Sequence, residues 1–179
     1  IIFSKYMAAL SNNLSYLLPH NLKKSFFLNS GAEAVEAAIK VCFKSYTKKR
    51  KFILHSDRSY HGKLIGSGSI SGSYFKENQF PVMENCVSYK FNNITDLENK
   101  IIKYNNKGGI YSVIIEPFSA STLESVSNDF MDQLFKLKDK YGFRIIFDEV
   151  FTGFYKSEKM FYFQNFNNKC PDVLCLSKT

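Results

Sequence analysis

The stretch Phe143 to Phe154 reads "FRIIFDEVFTGF", and it decides how this chain folds. Its apolar start has the composition of a buried strand, but two acids, Asp148 and Glu149, follow at the end of that strand. A carboxylate at the end of a core strand costs free energy unless hydrogen bonds or a positive charge compensate it. We therefore expect a cationic partner for Asp148.

Strand and helix patterns alternate on both sides of this stretch. Strands are predicted in "SFFL", "KFILHS", "CVSYK", "YSVIIEP" and "DVLCLSK", at residues 25–28, 51–56, 86–90, 111–117 and 172–178. Amphipathic helices are predicted within residues 1–18, from Gly31 to about Lys48, from Thr95 to Asn105, and from Asn128 to Tyr141 before Gly142. The alternation predicts an α/β fold, a mainly parallel sheet with helices on both faces.

Three residues with reactive or charged side chains stand where predicted strands end. They are Glu116, Asp148 and Lys178, each after a different one of three successive strands. Ligands of open α/β sheets bind in the crevice beyond the carboxyl ends of the strands. We expect the three side chains to converge on one such crevice.

The composition favours a single soluble domain over several other classes. The 179 residues are 45% hydrophobic, enough for one packed core. The net charge of +8 comes from 21 scattered lysines and only 3 arginines, which argues against nucleic-acid binding. No apolar run has the length of a membrane span.

The cysteine pattern argues against a metal centre. Cys42, Cys86, Cys170 and Cys175 form no CxxC pair, and no histidine lies near the closest two, so we predict no zinc site. Scattered free thiols and the lack of a signal peptide indicate a cytosolic protein. Because the chain lacks an initiator Met and stops directly after "CLSKT", we expect it to be a fragment.

The segment "NSGAEAVEAAIK", residues 29–40, allows two interpretations of a helix start. Ser30 and Glu33 fit a capping box, in which both side chains bind free amides of the first turn. Gly31 and Ala32 are also small enough for an anion to approach their amides closely. The two interpretations are compatible.

"SYHG", residues 59–62, follows a predicted strand and carries two further candidates. Tyr60 fits either a core aromatic or a ring that stacks on a flat ligand, and His61 fits either a base or a hydrogen-bonded loop residue. Lys178 can supply an amine to a carbonyl cofactor. An anion cradle, an aromatic ring, a carboxylate and an amine together suit pyridoxal phosphate (PLP), with Asp148 as the partner of its protonated pyridine nitrogen.

The order of the motifs resembles the class III (omega-type) aminotransferases of the fold-type-I PLP enzymes. The matching segments are "FLNSGAEAVEAAIK", "SYHG", "VIIEP", "IIFDEVFTGF" and "KMFYFQNFNNKCPDVLCLSK". The resemblance implies that Gly31 and Ala32 bind the phosphate, that Tyr60 and Val150 pack on opposite faces of the ring, that Asp148 binds the ring nitrogen, and that Lys178 is the Schiff-base lysine and proton shuttle.

The resemblance also implies an assembly and a reaction. It implies a homodimer with active sites at the subunit interface, and it places residues 1–179 in the PLP-binding large domain, with the C-terminal small domain absent from this chain. The implied reaction moves an amino group from a small-molecule donor to a keto acid or aldehyde. The chain departs from the pattern at Phe151, where many relatives carry Gln, and at residues 118–125, which lack a usual Gly.

Two other functions remain open at the level of the sequence. A PLP-dependent isomerase, either an aminomutase or a racemase, would use the same Asp148 and Lys178 on the same scaffold. A non-catalytic paralogue would need neither residue, so the presence of both, together with Tyr60, argues against it. The sequence leaves the donor, the acceptor and the roles of His61 and Glu116 undetermined.

Overall fold

The core of the protein is one parallel sheet. The computed structural model describes residues 4–19, 21–46, 48–72, 77, 81–167 and 169–178. Five strands form the sheet in the order β2-β1-β3-β6-β7, and every neighbouring pair is parallel. Their bounds are β1 Phe52–Ser56, β2 Cys86–Tyr89, β3 Ile110–Ile115, β6 Arg144–Glu149 and β7 Val173–Leu176; β4 Phe118–Ser119 and β5 Glu124–Ser125 form a separate antiparallel pair.

Helices cover both faces of the sheet. They are α1 Lys5–Leu17, α2 Gly31–Lys44, a short α3 Ile65–Ser69, α4 Ile94–Asn105 and α5 Asn128–Tyr141, with one 3-10 turn at Tyr162–Asn165. Helix α2 packs on β3, β6 and β7 from one side, and α4 packs with α5 on the other side. In the described ranges no helix is long and apolar enough to cross a membrane.

The alternation of side chains along β6 divides the core into two clusters. Ile145 and Phe147 pack with α4 and α5, whereas Ile146 packs with α2. Because successive side chains of a strand point to opposite faces, Asp148 falls on the α2 face and Glu149 on the opposite face. The side chains of the two adjacent acids at the end of β6 therefore lie on opposite faces of the sheet.

Most expected elements are present, and three differ. The fold class is confirmed, and so are the predicted strands that form β1, β3, β6 and β7. Residues 25–28 form no strand, because no strand in the described part of the chain pairs with their backbone. The side chain of Phe26 is 79% exposed. Helix α2 ends at Lys44, before Lys48.

The third difference is α3, which lies in the Gly/Ser-rich segment 62–73 of the sequence, where the patterns predict no helix. Its residues 66–69 are buried, and the hydroxyls of Ser69 and Ser71 lie within hydrogen-bond distance of the carbonyls of Ile65 and Ser67. Small residues here allow close packing instead of a flexible linker. Residue 73 and residues 1–3, which the sequence patterns included, lie outside the described part of the chain.

Helix α5 offers a direct test of the packing on the α4 side. Leu134 is fully buried on the predicted apolar stripe of this helix, whereas Lys136 on the same helix is exposed. We expect Leu134→Ala to lower the free energy of unfolding by about 2–5 kcal/mol, because it leaves a cavity under the sheet. Urea denaturation of the protein measures this, with Lys136→Ala as the control expected within about 0.5 kcal/mol of wild type. Equal losses in the two variants would contradict this packing.

Candidate active site

The carboxyl edge of the sheet brings together the residues that the sequence placed at strand ends. Strands β3, β6 and β7 are adjacent, and Asp148 pairs in register with Cys175 of β7. Glu116 directly follows β3, and Lys178 lies two residues beyond β7. The three strand ends therefore share one edge of the sheet, and the convergence of the three side chains on one crevice stays a prediction.

Asp148 is buried and held by two hydrogen bonds. It is 5% exposed, its Oδ2 lies 2.7 Å from His61 Nδ1, and its Oδ1 accepts from the Val150 amide at 3.0 Å. His61 is itself buried, and its Nε2 has no hydrogen-bond partner among the described residues. Of the two interpretations of His61, the hydrogen-bonded loop residue is the one that the geometry fits. Sequence reasoning missed its contact with Asp148.

Glu116 fastens two loops at the same edge. Its Oε2 accepts from the Tyr60 amide at 2.9 Å, and its Oε1 accepts from the Ala120 amide at 3.2 Å. Burial raises the pKa of Glu116, although His61 and the Tyr60 amide act in the opposite direction. The carboxylate thus sets the position of the Tyr60 backbone, while the Tyr60 ring remains 42% exposed.

The start of α2 lies against the loop that follows β6. Ser30 Oγ accepts from the Glu33 amide at 3.2 Å, so the serine half of the predicted capping box is confirmed. Glu33 Oε2 accepts from the Asn29 amide at 2.7 Å, one residue before the cap, so the glutamate half differs from the prediction. A Cβ added at Gly31 would lie 2.8 Å from Val150 Cγ1. Only glycine allows this approach of the helix start to Val150.

The amides of Gly31 and Ala32 are available to a ligand. No hydrogen bond from either amide is found within the described ranges, since the cap of Ser30 takes the amides of Glu33 and Ala34 instead. Ala32 packs on Gly62, where φ is +120° and an added Cβ would lie 2.6 Å from the Ala32 Cβ. This contact joins the helix start to the loop that carries Tyr60 and His61.

Lys178 has an exposed side chain on a strained backbone. Its φ of 52° lies in the left-handed region, which is uncommon for a residue other than glycine and is enriched at functional sites. Its Nζ lies 5.9 Å from the centroid of the Phe151 ring. The structure therefore places the amine beside the loop that follows Asp148 rather than in contact with Asp148 itself.

Glu149 is a buried acid whose role the sequence did not reveal. It is fully buried, and its two oxygens accept from the amides of Tyr162 at 2.6 Å and Phe163 at 2.7 Å. Burial raises the pKa of Glu149 from 4.5 to about 7, against the opposing effect of these amides. Its place next to Asp148 was the only sequence signal, and that signal did not distinguish an anchor for a loop from a ligand-binding acid.

Comparison with known families agrees with this geometry. A family model described as aminotransferase class-III matches residues 1–179, the whole chain. The chain belongs to the class III aminotransferases. The expected family and fold are both confirmed, and the site residues of this class III aminotransferase chain stay predictions.

Solved structures share the fold over almost the whole of this class III aminotransferase chain. A transaminase from the marine bacterium Virgibacillus is 24% identical, with a TM-score of 0.87 over 97% of this chain and 42% of that one. An adenosylmethionine-8-amino-7-oxononanoate aminotransferase from Methanocaldococcus jannaschii is 26% identical, with a TM-score of 0.84 over 98% of this chain and 43% of that one.

A third solved structure, which is less similar to this chain, contains PLP. The ornithine aminotransferase of Toxoplasma gondii, 21% identical with a TM-score of 0.71 over 83% of this chain and 36% of that one, has PLP at partial occupancy in its active site. The class III aminotransferase chain described here spans less than half the length of each of these three proteins.

Glu149 gives this class III aminotransferase chain a pH dependence that one substitution isolates. Because the folded-state pKa of about 7 lies above the ordinary 4.5, ionisation of Glu149 destabilises the fold as pH rises through this range. Between pH 5 and pH 8 we expect the free energy of unfolding of wild type to fall, by on the order of 1–3 kcal/mol, relative to that of Glu149→Gln, because the glutamine does not ionise. Urea denaturation at both pH values measures the difference.

The control for this comparison is the exposed Glu158, on the same loop. Glu158→Gln is expected to follow wild type at both pH values, because an exposed carboxyl has a similar environment in the folded and unfolded chain. If the stability of Glu149→Gln fell as much as that of wild type between the two pH values, Glu149 would not be the source of the pH dependence.

Proposed function

We propose that this protein is a PLP-dependent aminotransferase that moves an amino group from a small-molecule donor to a keto acid or aldehyde. One observation carries the proposal: a buried, hydrogen-bonded aspartate ends β6, and a lysine follows the adjacent strand β7 at the same edge of the sheet. A cationic ring between Asp148 and Lys178 would supply the positive charge that a buried carboxylate needs. The match of the whole chain to the class III family supports this.

The residues present fit PLP in chemistry and in shape. The free amides of Gly31 and Ala32 at a helix start suit a phosphate, because the helix dipole and the amides both attract an anion. The lack of a side chain at Gly31 keeps this cradle open next to Val150. The exposed ring of Tyr60 offers an aromatic surface on the neighbouring loop.

Each residue then has a specific task in the proposed site. Gly31 and Ala32 hold the phosphate, Tyr60 and Val150 pack on opposite faces of the ring, and Asp148 accepts a hydrogen bond from the ring nitrogen. Bound PLP supplies an aldehyde that condenses with amines and a protonated ring that withdraws electrons from the reacting carbon.

The protein's own contribution is to fix charge and to move a proton. His61 and the Val150 amide orient the Asp148 carboxylate, so that it need not reorganise when a cation binds. Lys178 Nζ would provide the amine that holds the cofactor. As a free amine, it would take the proton from the substrate carbon that carries the amino group.

We further propose that these residues belong to the PLP-binding large domain of a cytosolic homodimer with a separate small domain. Exposed apolar side chains on α1, among them Tyr6 and Tyr16, support an interface with another part of the protein or a second copy. The four cysteines form no disulfide within the part of the chain that the structure describes, which suits a reducing compartment.

An absorption spectrum followed by chemical trapping tests the proposed cofactor and lysine together. We expect the complete protein to gain a visible absorption band when PLP is added. Borohydride reduction should then fix a phosphopyridoxyl group on the peptide that contains Lys178, because reduction makes the bond to the amine permanent. Lys178→Ala should show neither the visible absorption band nor the labelled peptide. Lys40→Ala, at an exposed position on α2, should behave as wild type.

The absence of a band, or a label on some other lysine, would overturn the proposal. The motifs would then serve only the architecture of a non-catalytic protein. A labelled Lys178 without release of a keto product from any amino donor would instead indicate an isomerase.

A second prediction concerns the charge of Asp148. We expect Asp148→Asn to lower the rate of amino transfer in a single turnover by about 10²–10³, because a neutral amide no longer stabilises a positive charge on the ring nitrogen. Stopped-flow absorbance of the complete protein with bound PLP measures this rate. Asp139→Asn, at an exposed position on α5, is the matched control. A rate within twofold of wild type for Asp148→Asn would remove Asp148 from its proposed role.

A further inference from the structure

We propose that Phe151 is a positioning residue for Lys178, and that its ring holds the lysine amine at the edge of the site. The contribution of Lys178 to the reaction rests on the proposed function above, whereas the contact itself is a property of the folded chain. Phe151 directly follows Val150, so the same loop that faces the start of α2 also carries this ring.

Among the described residues, the lysine amine contacts an aromatic ring and no charged partner. Lys178 Nζ lies 5.9 Å from the Phe151 centroid, within the range of a cation–π interaction. In the described part of the chain, Nζ makes no hydrogen bond and no ion pair. A carboxylate partner would retain the ammonium in one place, whereas an aromatic face attracts it weakly and leaves all three N–H groups free.

Phe151 is able to position a neighbour because its own ring is held. Its ring stacks on Phe118, with centroids 6.3 Å apart and planes 20° apart, and Phe118 contacts Tyr162 with centroids 5.5 Å apart. The Tyr162 amide in turn donates to the buried Glu149 carboxylate at 2.6 Å. A continuous series of contacts thus connects the end of β6 to the amine of Lys178.

Lys178 combines a left-handed backbone conformation with a long, exposed side chain. The side chain has several rotatable bonds, so without a partner its amine would sample many positions. The Phe151 ring favours the positions of the amine that lie beside the loop after β6.

Chemical labelling of Lys178 in the cofactor-free complete protein tests this inference. The probe is trinitrobenzenesulfonate, and mass mapping gives the labelling rate of Lys178 relative to the exposed Lys40 in the same molecule. We expect Phe151→Leu to raise this ratio about two- to fivefold, because attack on Nζ no longer competes with the ring contact. Phe151→Tyr keeps the ring and should leave the ratio at the wild-type value.

Two comparisons separate positioning from general loosening of the loop. Phe43→Leu removes a half-exposed ring from α2 and should leave the ratio unchanged. The urea midpoint is measured for each variant. If Phe151→Leu lowers it, Phe151→Met, which keeps more of the packing on Phe118, is compared instead and should show the same rise in labelling. Equal ratios for wild type and the non-aromatic variants, or a rise in Phe151→Tyr as large as in Phe151→Leu, would overturn the inference.

The two proposals fail in different ways. If Lys178 is not the lysine that PLP labels, reduction of the wild-type protein leaves its peptide unmodified, whatever the trinitrophenyl ratios are. If Phe151 does not position Lys178, wild type still gives the phosphopyridoxyl peptide, while the trinitrophenyl ratios are equal across the Phe151 variants.

Discussion

The burial of acids at one edge of the sheet is the constraint on which the rest of the structure depends. Asp148, Glu116 and Glu149 are all at most 6% exposed, and a buried carboxylate is tolerated only when donors surround it. Each carboxylate therefore accepts hydrogen bonds from amides or an imidazole of the loops that follow the strands. These hydrogen bonds offset part of the free energy that dehydrating the carboxylates costs. They also fix the loops on which a site can be built.

Each carboxylate fixes a different loop, and together they define the crevice. Glu116 binds the amides of Tyr60 and Ala120, so it joins the loop after β1 to the loop after β3. Asp148 binds His61 of the first of these loops. Glu149 binds the segment that begins the 3-10 turn. Because the strands are parallel, all of these loops emerge on one side, where α2 also begins.

The two sides of the crevice differ in their chemistry. On the α2 face of the sheet, small residues and free amides at Gly31 and Ala32 form a polar cradle suited to an anion. Around the loop after β6, the stacked rings of Phe118 and Phe151 form an apolar wall beside Lys178.

The sequence by itself determined the fold class, the strands β1, β3, β6 and β7 and the cap that Ser30 provides for α2, because these depend on local periodicity and on side chains three residues apart. It also placed Asp148 at a strand end that needs a cation. Only the tertiary structure decided that His61 is the donor to Asp148, that Glu149 anchors a loop and that Phe151 contacts Lys178. These contacts join residues 13 to 87 positions apart, and no sequence period encodes them; the packing of strands in the order β1-β3-β6-β7 creates them.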